Sequence, residues 1–355
     1  MDHTVAAQRL VNQRISRTGP ADPARLVAWL GAVQAQEFGP AKWGLGLRMP
    51  RGMTDARIQR SFDAGRILRT HVLRPTWHFV APRDIRWMLE LSGPHIHRVM
   101  AVYDRRLGLT PGILNRATAV MERALGDGEF LTRAELGERL TRAGLPGRSY
   151  WLGHLAMYAE AEGVICSGPR RGKQSTYALL DLRAPQARRL PRDHAIAELA
   201  GRFLRSHGPA TTRDFSWWSG LTAAEATRAF EMSRPRRLDL DGRTYWTLGP
   251  APRAARATGV HLLPIYDEYL VAYRDRDAVP QGPALVASRG GGYATFQHAV
   301  VVRGQVAGTW RISQTAKGVS LTVLPLRRLE PWAAVALRRA TARYQRFVGT
   351  AVTLR

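Results

Sequence analysis

In the first 250 positions the apolar residues fall in runs with helical spacing, broken by short β-rich pairs; from about residue 260 the runs become strands. Val5, Leu10, Val11 and Ile15 predict a helix over 5–16 with Thr4 at its cap, and Leu26, Val27, Leu30 and Val33 predict a second over 24–37. Gly39-Pro40 reads as the stop of that second helix, because proline has no amide proton and disfavours helix in the residue before it. Thr54-Asp55 opens a third helix to Ala64, with Ile58 and Phe62 inward. Two β-rich runs follow, Ile67–Leu73 and Trp77–Val80, around a turn at Arg74-Pro75-Thr76. Three helices and such a hairpin have the order of a winged helix-turn-helix. Asp84 caps a further helix, Ile85–Leu91, and helices continue to about residue 125.

The same order then recurs twice, as a pattern and not as a repeated sequence. Thr132 and Glu135 have the spacing of a capping box, with Leu136 and Leu140 continuing the apolar face. A helix over Tyr150–Glu162 takes the recognition-helix position, and strands Val164–Cys166 and Thr176–Leu180 flank the basic tip Gly168–Gln174. The third pass has helices over His194–Ser206, from Thr211, and from Thr222 with Glu225 at capping-box spacing. Its hairpin turns at Asp241-Gly242, a strong two-residue turn signal. Strands at 261–264, 284–287, 295–302, 306–312 and 319–324 precede a helix over Trp332–Phe347. The expected fold is α+β: three tandem winged helix-turn-helix units over 1–125, 126–185 and 190–250, then a small β-barrel-like domain with a closing C-terminal helix over 258–355.

Charge changes the picture more than composition does. The chain has 355 residues, 45% of them hydrophobic, enough for a sizeable core, yet its net charge is +25. Such self-repulsion opposes compaction and calls for a counter-charge, most commonly a phosphate polymer. All but three of the 53 cations are arginine, which grips phosphate bidentately and stacks on bases. A GC-rich genome would explain arginine in place of lysine, but not the excess over 28 carboxylates. The single cysteine, Cys166, excludes an internal disulfide and a thiolate zinc cage, and the histidines are scattered, so no metal or cofactor is expected. The N-terminus lacks an apolar signal core and no window approaches a membrane span, so the expected location is cytoplasmic, on the nucleoid.

Phosphate-cradling glycine loops, a nucleophilic triad and carboxylate clusters for two-metal chemistry are all missing from the sequence pattern. What remains is Gln34-Ala35-Gln36. On a regular helix, positions i and i+2 point to nearly opposite sides, so both glutamines face one cleft only where the backbone leaves helical geometry. Otherwise they are solvated polar residues at a frayed helix end. Glu37, next in sequence, is an alternative catalytic base. Trp43 either stacks on a base or belongs to the core. The tip cations Arg170, Arg171 and Lys173 suit a phosphate contact or a solvated loop. Arg274-Asp275-Arg276-Asp277 suits a salt-bridged turn or a phosphate clamp.

Gln34-Ala35-Gln36 followed by Trp43-Gly44-Leu45-Gly46-Leu47-Arg48 resembles the signature of the AlkZ-like winged-helix DNA glycosylases. Two longer stretches resemble the same family: Arg69-Thr70-His71-Val72-Leu73-Arg74-Pro75-Thr76-Trp77-His78, and Leu263 to Arg276 with Tyr266-Asp267-Glu268-Tyr269 at its centre. With Gly308-Thr309-Trp310-Arg311 the resemblance covers most of the chain. It implies a monofunctional glycosylase that hydrolyses the N-glycosidic bond of N7-alkylated purines, bulky and crosslinked adducts included, in double-stranded DNA. It further implies that the enzyme works as a monomer. It implies that Gln34 and Gln36 position water and stabilise an oxocarbenium ion. It also places Arg289 and His298 beside DNA, and Arg74 among the DNA contacts. A winged-helix transcriptional regulator without catalysis is the alternative.

Overall fold

The computed structural model describes residues 4–240, 242–248, 258–279, 297–315 and 318–355. In chain order the elements begin with α1 (Thr4–Asn12), α2 (Pro23–Leu30), β1 (Ala32–Gln34), α3 (Phe38–Arg48) and α4 (Asp55–Asp63). Next come β2 (Leu68–His71), β3 (Trp77–Val80), α5 (Ile85–Arg106), α6 (Pro111–Ala124), β4 (Leu131–Thr132), α7 (Arg133–Arg142), α8 (Ser149–Ala161), β5 (Ile165–Ser167) and β6 (Thr176–Leu179). Then follow α9 (Leu180–Arg183), α10 (Arg192–Ser206), α11 (Thr212–Ser219), α12 (Ala223–Ser233), β7 (Arg236–Leu240) and β8 (Arg243–Thr247). The chain ends with β9 (Val260–Leu263), α13 (Glu268–Val271), β10 (Ala299–Val302), β11 (Gln305–Thr315), β12 (Gly318–Pro325), α14 (Pro331–Val348) and β13 (Val352–Leu354). The fold is mixed α+β. It divides into two compact units, one of residues 1–59, 197–218 and 223–355, the other of 60–196 and 219–222.

The second unit carries a core in which Leu136, Leu140, Leu155, Ile165 and Met121 are wholly buried. The expected capping box is present: Thr132 Oγ1 accepts from the Glu135 amide at 3.3 Å, and Glu135 Oε2 accepts from the Thr132 amide at 2.7 Å. It fixes the start of α7 and with it the register of β4 against β6, Leu131 opposite Tyr177. One expectation fails here. The helix after Asp84 runs on through Pro94 as a single 22-residue element instead of ending at Leu91. The proline ring removes one backbone hydrogen bond there without ending the helix.

In the first unit five strands pair in the order β13-β12-β11-β10-β9. All contacts are antiparallel except β12 with β13, a strand absent from the sequence reading. The expected strand at 284–287 lies outside the described residues, as does Arg289. The expected hairpin pairs β7 with β8, Leu240 opposite Arg243, while Asp241 of its turn lies outside the described residues.

The main correction concerns residues 24–48. The helix predicted over 24–37 ends at Leu30, where Gly31 takes φ +83°, and the chain enters strand β1. Gly39-Pro40 stops nothing: it lies in the first turn of α3, where the missing amide proton costs no hydrogen bond. The α3 glycines permit close approach. A methyl on Gly46 would meet the Phe347 ring at 2.4 Å, and one on Gly44 would meet Pro264 at 3.4 Å. Trp43 is core. Its ring meets Tyr344 at 5.0 Å and Phe347 at 5.1 Å, and its Nε1 donates to the Leu262 carbonyl at 2.7 Å. Trp310 Nε1 donates to the next carbonyl, Leu263, at 2.8 Å. Two tryptophans thus pin the end of β9, from which the loop to Asp267 departs.

Candidate active site

That loop is tied down by buried ions. Arg48, at the end of α3, grips both carboxylate oxygens of Asp267 at 2.8 and 2.7 Å and donates to Gln13 Oε1 at 3.0 Å. Both ionic partners are 1% exposed. Asp267 holds the guanidinium in its charged form, raising its pKa against the opposing effect of burial. Asp267 also caps α13 by accepting from the Tyr269 amide at 2.9 Å. The next residue, Glu268, is thereby aimed into the core.

Glu268 is the organiser of the glutamine segment. Its Oε1 accepts from the Gln34 amide at 2.6 Å and its Oε2 from the Trp218 indole at 3.0 Å. His207 Nε2 lies 3.5 Å from Oε2. Burial, above all, lowers the pKa of His207, so this ring stays neutral, stacked on Phe203 at 5.0 Å. A carboxylate therefore stands directly behind the Gln34 backbone. Sequence reasoning missed Glu268, because its partner is 234 residues away. The available signal was two adjacent carboxylates, Asp267 and Glu268, set between apolar runs, where ionised groups need partners.

The strand resolves the helix objection. Gln34 ends β1 and is buried, and Gln36 lies two residues on, half-buried, outside any helix. The strand ends at Gln34 and Gln36 stands at a bend before α3, so the helical geometry that would set the two glutamines on opposite sides does not apply. Glu37 is exposed at the cap of α3, and its side chain makes no cap hydrogen bond there. Its carbonyl accepts from the Ala41 amide at 2.9 Å.

The other expected site residues divide between the units. In the second unit Arg74 sits on the turn between β2 and β3, half-buried. Arg170, Arg171 and Lys173 form the tip between β5 and β6. Arg171 donates to Glu135 Oε1 at 2.6 Å and the Phe130 carbonyl at 2.7 Å, while Arg170 donates to the Lys173 carbonyl. In the first unit Arg274 is exposed, its guanidinium 5.2 Å from the Trp217 ring, and Arg276 is turned toward the Leu270 carbonyl at 3.4 Å. Asp275 and Asp277 both accept from Arg243, so the carboxylates of this loop are salt-bridged within the fold. His298 turns inward: Nδ1 accepts from the Ile265 amide at 3.1 Å, its ring meets Trp310 at 4.6 Å, and burial lowers its pKa to about 4. Arg289 lies outside the described residues. Cys166 is buried and its thiol is pushed far up by desolvation. No group of three metal-ligating side chains occurs among the described residues. No described helix is long and apolar enough to cross a membrane.

Comparison with known proteins places this geometry. The family described as "DNA glycosylase AlkZ-like" matches residues 27–347. A curated relative, "Interstrand DNA cross-link repair glycosylase" from Streptomyces sahachiroi, is 26% identical over 327 residues, 87% of either chain. The solved structure of the Streptomyces sahachiroi DNA glycosylase AlkZ superposes with a TM-score of 0.82 at 26% identity, covering 99% of this chain and 98% of that one. The chain belongs to the AlkZ-like DNA glycosylase family.

Proposed function

We propose that this enzyme is a monofunctional glycosylase for N7-alkylated purines in duplex DNA, working as a monomer, and that its substrates include interstrand crosslinks, the lesion named for its Streptomyces relative. Alkylation at N7 makes the purine cationic, so the base leaves neutral and needs no proton. The developing charge is an oxocarbenium ion on the sugar. Gln34 and Gln36 orient the attacking water and turn carbonyl dipoles toward that cation. The observation that carries this reading is the Gln34–Glu268 bond. It anchors the first glutamine on extended backbone and sets a carboxylate behind it. Glu37 then has no required part.

Arg74, Arg170, Arg171, Lys173, Arg274 and Arg276 serve phosphate, with Arg289 and His298 at the lesion side, on a scaffold of three winged helices and a barrel-like domain. Among these, Lys173 and Arg274 are exposed at loop tips, while Arg171 must exchange Glu135 for a phosphate. Family membership favours the enzyme over a non-catalytic regulator. The test is incubation with an N7-methylguanine duplex followed by alkali. Strand scission at the lesion is expected; intact strands at saturating protein would overturn the reading.

A further inference from the structure

A cavity of about 580 Å³ lies within the second unit, and the glutamine pair is not among its lining. This volume falls within the range of small-molecule sites, roughly 300–1,000 Å³. Its lining joins two opposite kinds of hydrogen-bonding group. One is Glu160, a carboxylate 1% exposed. His71 engages only one of its oxygens: the amide donates to Oε2 at 3.1 Å, and Nδ1 meets the same Oε2. Among the described residues Oε1 has no hydrogen-bond partner. The other kind is cationic. Arg69 and Arg133 line the cavity, as does the start of α7 at Thr132–Ala134, the positive end of a helix of 10 residues. Phe62, Leu152 and Trp77 supply the apolar walls.

We infer that this cavity is a binding site for a guanine base. A carboxylate on the cavity wall, held by His71 through Oε2 alone, leaves its other oxygen for a donor from a ligand. A phosphate would bring a second negative charge against it. A metal ion would find a lone carboxylate, with no cluster of ligating side chains among the described residues. An apolar ligand would leave the carboxylate desolvated. Guanine meets each demand. Its N1–H and N2–H donate from one edge and converge on the single remaining oxygen, Oε1, since His71 holds Oε2. Its O6 and N7 accept on the adjacent edge, where arginine is the commonest protein partner. Adenine presents its N1 lone pair to the carboxylate and is repelled; hypoxanthine lacks the N2 donor.

Guanine of this chemistry has two sources, a free nucleoside or a base extruded from DNA. Titrating the full-length protein with guanosine, inosine, adenosine and inorganic phosphate tests the site itself. Guanosine is expected to bind, inosine about fivefold more weakly for one lost hydrogen bond, adenosine and phosphate not measurably. Glu160→Gln should weaken guanosine by about tenfold or more, since the charge-assisted bond is the stronger kind. Ala134→Trp, at an exposed position on the cavity lining, should block binding by filling it, and keeps the test open should Glu160→Gln fail to fold. In a second arm, a duplex with one unpaired guanine is compared with a fully paired duplex. A gain for the unpaired guanine that disappears in Glu160→Gln assigns the site to extruded bases. Guanosine binding without that gain assigns it to the free form. Equal binding of adenosine, binding of phosphate alone, or guanosine affinity untouched by both variants would overturn the inference. Guanosine affinity should be unchanged in Gln34→Ala, so failure here is distinguishable from failure of the glutamine mechanism.

Discussion

The Glu268 carboxylate accepts the backbone amide of Gln34 at 2.6 Å while its second oxygen holds the Trp218 indole at 3.0 Å, so one acidic side chain satisfies two buried donors from distant parts of the chain. Glutamine in its place can accept from one donor only and turns an amide proton toward the other. Glu268→Gln should therefore lower stability by about 1–3 kcal/mol. It should also slow single-turnover excision while leaving affinity for undamaged DNA unchanged. Thermal unfolding, single-turnover kinetics and a binding isotherm check the three parts. Excision at the normal rate in the folded variant would remove Glu268 from any positioning of Gln34.

The approach of α3 to α14 depends on the missing side chain at Gly46, where a methyl would sit 2.4 Å from the buried Phe347 ring. Gly46→Ala should destabilise by about 1–3 kcal/mol through overpacking, despite the better helix propensity of alanine. Gly112→Ala makes the control: it lies in the first turn of α6, exposed, with nothing nearer than Thr110 Oγ1 at 3.9 Å. That change should be neutral or stabilise by up to about 1 kcal/mol. Urea unfolding of the two variants should give opposite signs or a clear separation.

Burial holds the folded-state pKa of both His298 and His261 at about 4, below the ordinary 6.5. Below pH 6.5 the unfolded chain takes up protons that these rings in the folded chain refuse. The stability they contribute is full above that pH and is lost as pH falls toward about 4. His298→Asn, whose Oδ1 can still accept from the Ile265 amide, should flatten part of this decline. Urea midpoints measured from neutral to acidic pH report the difference in slope.

A net charge of +25 implies that phosphate contacts dominate affinity for DNA. The logarithm of affinity should fall linearly with the logarithm of salt, with a slope of about −0.9 per phosphate neutralised. Lys173→Ala and Arg274→Ala should each reduce that slope by roughly one and weaken damaged and undamaged duplexes alike. Fluorescence anisotropy across a salt series measures both effects.

Much of the fold was legible because local signals suffice for it. Thr132 and Glu135 form their box, β7 and β8 pair as a hairpin, and the closing helix spans Pro331–Val348 against an expected 332–347. The failures share a cause: they depend on partners far away in sequence. Gly39-Pro40 reads equally as the end of one helix or the first turn of the next, and only the packing of Trp43 on Tyr344 and Phe347 decides. A three-residue strand such as β1 has no periodicity of its own. The glutamines were found by motif, whereas Glu268, which holds one of them, carries no local mark of its partner. Three of the cations chosen from loop composition, Arg170, Arg171 and Arg276, prove to bond within the fold, because charge counts do not show which carbonyls or carboxylates lie nearby.

The role of the two carboxamides is tested most directly by the single-turnover rate of N7-methylguanine excision in a Gln34→Ala, Gln36→Ala double variant. Removing preorganised dipoles at a developing charge costs about a hundredfold to a thousandfold in rate for even one group. A fall of at least about a hundredfold is expected, with duplex affinity preserved. A double variant that excises the base at the rate of the unchanged enzyme would contradict the mechanism and move the search for the catalytic group to Glu37.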